Sequence, residues 1–125
     1  MGSSQPGYRS LLVWQQALDL ASDVLAIVAE FPNKTGFVLR DQMQRSAISV
    51  PSNIAEGSGR GTKKDFIAFL RIAAGSLREL ETQLDLALLS KVLHQDDHAR
   101  LMAKCDSVGR MLTRLIQSQQ PPTKG

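Results

Sequence analysis

The chain is predicted to be all-α, an antiparallel up-down-up-down four-helix bundle. Three observations carry that prediction. Apolar residues recur at helical spacing in four separate runs, no run shows the alternation of a strand, and short loop signals separate the runs. At 125 residues the chain makes one domain. That length buries roughly two thirds of the unfolded surface, so no metal or disulfide staple is required.

The first run steps 4,3,4,3 through Trp14, Leu18, Ala21, Leu25 and Val28. It stops at Phe31-Pro32-Asn33, a helix-ending signal. The second holds Leu39, Met43, Ala47, Val50 and Ile54 and ends at Gly57. The third keeps the heptad period through Phe66, Leu70, Ala73, Leu77, Leu80, Leu84 and Ala87. Thr62 is its expected N-cap, with Asp65 three residues on in the manner of a capping box. The fourth holds Leu101, Cys105, Val108, Leu112 and Leu115. The 3.5-residue period predicts shallow, coiled-coil-like crossings. The bundle is expected over residues 11–118, between flexible tails at residues 1–10 and 119–125.

Helices 2 and 3 carry more than a core stripe. At about 100° per residue, Phe37, Ile48 and Ala55 share a second face of helix 2. A third stripe, Gln42, Arg45, Ser49, Ser52 and Glu56, has only two charges, and Ile72 and Leu86 lie outside the heptad seam of helix 3. A monomeric bundle needs one apolar face per helix. The extra faces predict self-association, against the alternative of a broad core with a few exposed apolar residues. Pro51 inside a helix costs about 3 kcal/mol and kinks the residues beyond it. Gly75 costs up to about 1 kcal/mol against Ala. Both costs point to a packing or binding reason.

The formal net charge is only +3, but it is unevenly distributed. Residues 10–33 carry Asp19, Asp23 and Glu30 with no base, whereas residues 99–118 carry Arg100, Lys104, Arg110 and Arg114 against Asp106 alone. These opposed ends could attract neighbouring copies or a polyanion. The four bases of helix 4 fall within an arc of about 120°. They could follow a phosphate backbone, or they form an ordinary solvated face. The loop after Gly57 adds Arg60, Lys63 and Lys64 beside the free N–H groups of a helix start, a second candidate phosphate contact. It is no P-loop, because a helix precedes it and Thr62 comes before Lys63. Aromatic residues are scarce, which favours contact with a duplex or structured backbone over base stacking. Trp14 is expected to anchor a core or an interface.

No arrangement supports an enzyme. Glu79 and Glu81 diverge by about 200° on a helix and cannot act as an acid and base pair. His94 and His98 lack the third and fourth ligands that zinc requires. Cys105 lies on a core stripe and excludes an internal disulfide. No Ser-His-Asp spacing or nucleophile elbow is present. No cofactor and no metal are expected. Residues 1–8 lack a signal-peptide core, and Pro6 stands where a myristoylation start needs Ser or Thr. No apolar run approaches the roughly 20 residues of a membrane span. A soluble cytoplasmic protein without a membrane partner is expected.

Four segments carry a family resemblance: Val13–Ala21 (VWQQALDLA), Phe31-Pro32, Ser49–Arg60 (SVPSNIAEGSGR) and Gly75–Thr82 (GSLRELET). Together they resemble the 23S rRNA intervening-sequence protein family, also called the four-helix-bundle or S23 family. The resemblance extends over about residues 11–118. It implies a small bacterial cytoplasmic four-helix bundle that forms a ring-like homopentamer and has no established enzymatic activity. It also implies similarity to the accessory variability determinant of diversity-generating retroelements, a pentameric basic barrel thought to bind nucleic acid and a reverse transcriptase. The resemblance marks Asn53, Glu56, Gly57 and Arg60 as constrained without giving them a chemical role.

The combined expectation is a non-catalytic homo-oligomer, a pentamer under the resemblance, that contacts structured RNA or DNA. The contacts would come from Arg60, Lys63, Lys64, Arg100, Lys104, Arg110 and Arg114. Copies would meet through Phe37, Gln42, Arg45, Ile48, Ser49, Asn53, Glu56, Ile72, Arg78 and Glu79. The alternative is a scaffold that docks another protein and binds no nucleic acid.

Overall fold

The computed structural model describes residues 7–34 and 36–121. A 3-10 turn, Gly7–Ser10, leads into four helices: α1 (Leu12–Val28), α2 (Phe37–Ser58), α3 (Lys63–Leu89) and α4 (Gln95–Gln119). Successive helices pack against each other, and α1 closes the bundle against α4. Among the described residues no strand is present, and the up-down-up-down bundle expected from the sequence is the fold.

The core stripes of α2, α3 and α4 fall where their periodicity places them. Met43, Ala47, Val50 and Ile54 are buried on α2, Leu70 to Ala87 of the heptad on α3, and Leu101, Cys105, Val108 and Leu112 on α4. Phe66, Leu39 and Leu115, at stripe ends, are half-buried. Each fully buried Leu or Ile contributes about 1.5–3 kcal/mol relative to exposure.

Helix α1 departs from expectation. Its buried stripe is Val13, Ala17, Leu20, Val24 and Val28, with Ala21 beside it. Leu18 and Leu25 are exposed, and Trp14 is half-buried. The predicted stripe sits one residue later, a rotation of about 100°. Two adjacent faces of α1 are apolar, so periodicity alone could not choose between them. The observed rotation brings Asp19 and Asp23 beside bases on α4.

Helix ends are closed by specific groups. Thr62 Oγ1 accepts the Asp65 backbone N–H at 3.1 Å, the N-cap expected from sequence. Arg40 on α2 caps the end of α1, donating from Nε to the Val28 carbonyl at 3.1 Å and from Nη2 to the Phe31 carbonyl at 2.7 Å. At the end of α3, Lys91 takes a left-handed conformation with φ 63°. The Val92 N–H bonds the Ala87 carbonyl and the Lys91 N–H bonds that of Leu88, forming a Schellman motif. Helix α2 continues through buried Pro51. Gly57 lets the end of α2 approach the start of α3, since a Cβ there would lie 2.6 Å from Phe69 Cβ.

The chain ends are expected to be flexible over residues 1–10 and 119–125, in part outside the described residues. Residues 7–10 form the 3-10 turn, whose Tyr8 ring meets Trp14 edge-on at 5.1 Å between centroids. Helix α4 runs to Gln119. Residues 1–6 and 122–125 lie outside the described residues.

Candidate functional site

The charge asymmetry seen in the sequence is largely an internal latch. Arg100 Nη2 donates to Asp23 Oδ1 at 2.8 Å and Arg100 Nη1 to Asp97 Oδ1 at 2.7 Å. Lys104 Nζ lies 2.8 Å from Asp19 and 3.0 Å from Asp23. The Arg100 hydrogen bond, aided by Lys104, holds the Asp23 carboxyl below its usual range against the opposing effect of burial. The same contacts raise Lys104, with Asp19 the larger cause. Two of the four bases expected to form one phosphate-binding stripe therefore bind α1 instead.

The remaining bases gather at the other end of the bundle. There the α2–α3 connection meets the last turn of α4 at Gln119, and the 3-10 turn packs on α1 and α2. Residues 7–14, 50–71 and 106–121 hold Arg9, Arg60, Lys63, Lys64, Arg71, Arg110 and Arg114. Their carboxylates are only Glu56, Asp65 and Asp106. Arg60 lies 3.2 Å from Glu56 and stacks 4.8 Å over the Phe69 ring. Lys63 and Lys64, in the first turn of α3, are exposed and have no ion pair among the described residues.

Between α3 and α4 runs a groove with two connected cavities of about 380 and 530 Å³. Arg71 and Arg78 line it from α3, Arg110 and Arg114 from α4. Arg110 pairs with Asp106 on its own helix at 2.6 Å, both side chains being well exposed. Arg71 carries no signal in the sequence, because it lies apart from any basic run; only the pairing of α3 with α4 brings it into one groove with Arg114.

A third surface is apolar. Trp14, Leu18 and Leu25 of α1 face Ile48, Pro51 and Ala55 of α2 across a groove of about 390 Å³. Ile48 and Ala55 thus share a face as expected, and the misplaced α1 stripe is its other wall. Phe37, Ile72 and Leu86 are also exposed, but they do not line this groove.

The low-charge stripe of α2 is divided. Ser49 Oγ shares a 2.7 Å hydrogen bond with Ser76 Oγ of α3, and Asn53 Nδ2 donates to Ser49 Oγ and to the Ser49 carbonyl, both at 2.8 Å. Ser46 Oγ donates to Gln83 Oε1 at 2.6 Å. These groups form a polar seam between α2 and α3 within one chain. Gln42, Arg45 and Glu56 face outward, Arg45 with Asp41 at 3.4 Å. Arg78 and Glu79 are exposed, and Arg78 faces the α3/α4 groove.

Burial, with a contribution from Glu81, pushes the Cys105 thiol up to about 12, which leaves it un-ionised and unreactive. His98 Nε2 lies 2.8 Å from Asp85 Oδ1. Among the described residues no three His, Cys, Asp or Glu side chains are placed to hold a metal. Nor is any helix there long and apolar enough to cross a membrane.

The sequence profile of the 23S rRNA-intervening sequence proteins matches residues 9–114. The chain belongs to that family. A crystal structure of a protein of unknown function from the S23 ribosomal protein family of Bacteroides thetaiotaomicron is similar, with a TM-score of 0.80 and 23% identity. The similarity covers 85% of this chain and 99% of that one, and it shows a common fold. No match is found among curated proteins. The family match spans the latch, the apolar groove apart from Tyr8, and the α3/α4 groove as far as Arg114.

Proposed function

We propose that this family member is a non-catalytic, cytoplasmic binding protein that assembles with copies of itself and holds structured RNA, or another nucleic acid, by its phosphate backbone. The observation that carries this reading is the basic end of the bundle, with seven Arg and Lys side chains against three carboxylates. Duplex and structured nucleic acids present closely spaced phosphates, and each phosphate neutralised releases counterions. A small basic surface gains affinity when several copies present it together. The apolar α1/α2 groove supplies a face for such assembly, and a five-copy ring is the working arrangement.

The test is binding of the purified chain to a labelled RNA hairpin across a salt series. Micromolar or tighter affinity that falls linearly with log salt supports the reading. No binding at low salt, where electrostatic attraction is strongest, removes it. A second reading, a homo-oligomeric scaffold for another protein, is favoured by the apolar groove, because a partner helix could fill it. Salt-insensitive capture of a protein partner, with no RNA bound, would support that alternative.

A further inference from the structure

The α3/α4 groove holds arginines that the bundle does not use. Arg71, Arg78 and Arg114 have no carboxylate within 4.0 Å among the described residues, and Arg110 has only the exposed Asp106 of its own helix. The two cavities share Ala74, Arg78 and Thr113, so they form one channel. From Glu81 to Arg71 that channel follows α3 for about 15 Å. Its carboxylates are Glu81 and Asp106, fewer than its guanidiniums.

Gly75 is the second observation. It stands in the interior of α3, where glycine is unfavourable. A Cβ added there would meet nothing within 4 Å, so the chain's own packing does not require glycine. Gly57, by contrast, is demanded by Phe69. A glycine that the fold does not need, on the wall of an arginine-lined groove, suits close approach by something outside the chain.

We propose that the α3/α4 groove binds the phosphodiester backbone of a structured nucleic acid through Arg71, Arg78, Arg110 and Arg114, with Gly75 keeping the groove open. The proposal rests on the nucleic-acid reading above and locates its site. Guanidinium forks match phosphate oxygens in pairs. Arg110 and Arg114 are about 6 Å apart along α4, and Arg71 and Arg78 about 10.5 Å apart along α3. One small anion cannot engage all four; a chain of phosphates can. No aromatic side chain lines the groove to stack a base. The contact is therefore to backbone charge and independent of sequence.

The test compares the full-length chain with two variants and a control, using a fluorescent RNA hairpin and, separately, polyglutamate. Arg71→Gln/Arg78→Gln/Arg114→Gln removes charge from the groove. Gly75→Leu fills it without changing charge. Lys34→Glu/Lys91→Gln changes the net charge by the same three units at the far end of the bundle. The expected result is at least a tenfold loss of RNA affinity for the arginine variant, with a salt slope reduced by about two to three. At least a fivefold loss is expected for Gly75→Leu with helicity and assembly mass unchanged, and at most a threefold loss for the control. Gly75→Leu decides the matter if the arginine variant fails to fold. Undiminished RNA binding by folded groove variants, or equal losses in groove and control, overturns the groove site while leaving nucleic-acid binding intact. No RNA binding by the parent chain overturns both, and polyglutamate captured in place of RNA overturns the phosphate assignment. A change of assembly mass in Gly75→Leu assigns the glycine to contact between copies and overturns its role here.

Discussion

Arg100 holds Asp23 by two hydrogen bonds, Nη2 to Oδ1 at 2.8 Å and Nε to Oδ2 at 3.3 Å, across 77 residues of sequence. This two-point grip joins the first helix to the last. It closes the bundle along the α1–α4 seam, where Lys104 adds Asp19 and a second contact to Asp23.

Asp23→Asn should therefore destabilise the chain at pH 7 by about 1 kcal/mol, a value reduced by the partial exposure of its partners. The Asp23 carboxyl titrates below its ordinary 3.8 in the folded state. Its contribution is present above pH 3.8 and is lost as pH falls through the lower folded value. Urea unfolding of both proteins should show a gap at pH 7 that closes below that range. A gap of equal size at pH 7 and pH 2.5 would show that the carboxylate charge is not what stabilises the seam.

Two glycines on neighbouring helices should respond oppositely to alanine. Gly57→Ala drives a Cβ to within 2.6 Å of Phe69 Cβ and 3.3 Å of the Phe66 carbonyl oxygen, neither of them a flexible chain end. A loss of about 1–3 kcal/mol is expected from that overpacking. Gly75→Ala meets no neighbour and should gain about 0.5–1 kcal/mol from helix propensity. Thermal unfolding of both variants reads the two signs in one experiment.

Lys91 occupies a left-handed position that glycine adopts without strain. Lys91→Gly should raise stability by about 0.5–1 kcal/mol, because the Schellman bonds remain while the Cβ penalty is removed. Denaturant midpoints measure it. An unchanged or lowered midpoint would indicate that the lysine side chain contributes more than its backbone strain costs.

Leu18 and Ile48, exposed on opposite walls of the apolar groove, should matter more to assembly than to folding. Leu18→Asp/Ile48→Asp is expected to give a helical chain of about 13.7 kDa in light scattering, and the parent chain a multiple of that mass. Retention of the parent mass would place the interface elsewhere, for example around Ile72 and Leu86.

Most of the bundle was legible in the sequence because its signals are local. The α3 heptad, the Thr62 cap and the α4 stripe each depend on residues within a few turns, and each occurs as read. The α1 stripe was not legible, because Trp14, Leu18 and Leu25 mimic a core seam one residue away from the real one. Only partners on α4 distinguish the faces. The same limit governs the candidate site. Arg100 and Lys104 look like Arg110 and Arg114 along one helix, yet the former pair are held by α1 acids and the latter line the α3/α4 groove. Ser49 and Asn53 resemble interface residues until Ser76 is brought beside them.

The most direct measurement is sedimentation of the full-length chain with a fluorescent RNA hairpin at low and high salt. The expected result is protein sedimenting as a multiple of 13.7 kDa in both, with RNA travelling in its boundary at low salt and released at high salt. Protein that remains a single chain, with RNA sedimenting apart from it even at low salt, would contradict a self-assembling nucleic-acid-binding protein.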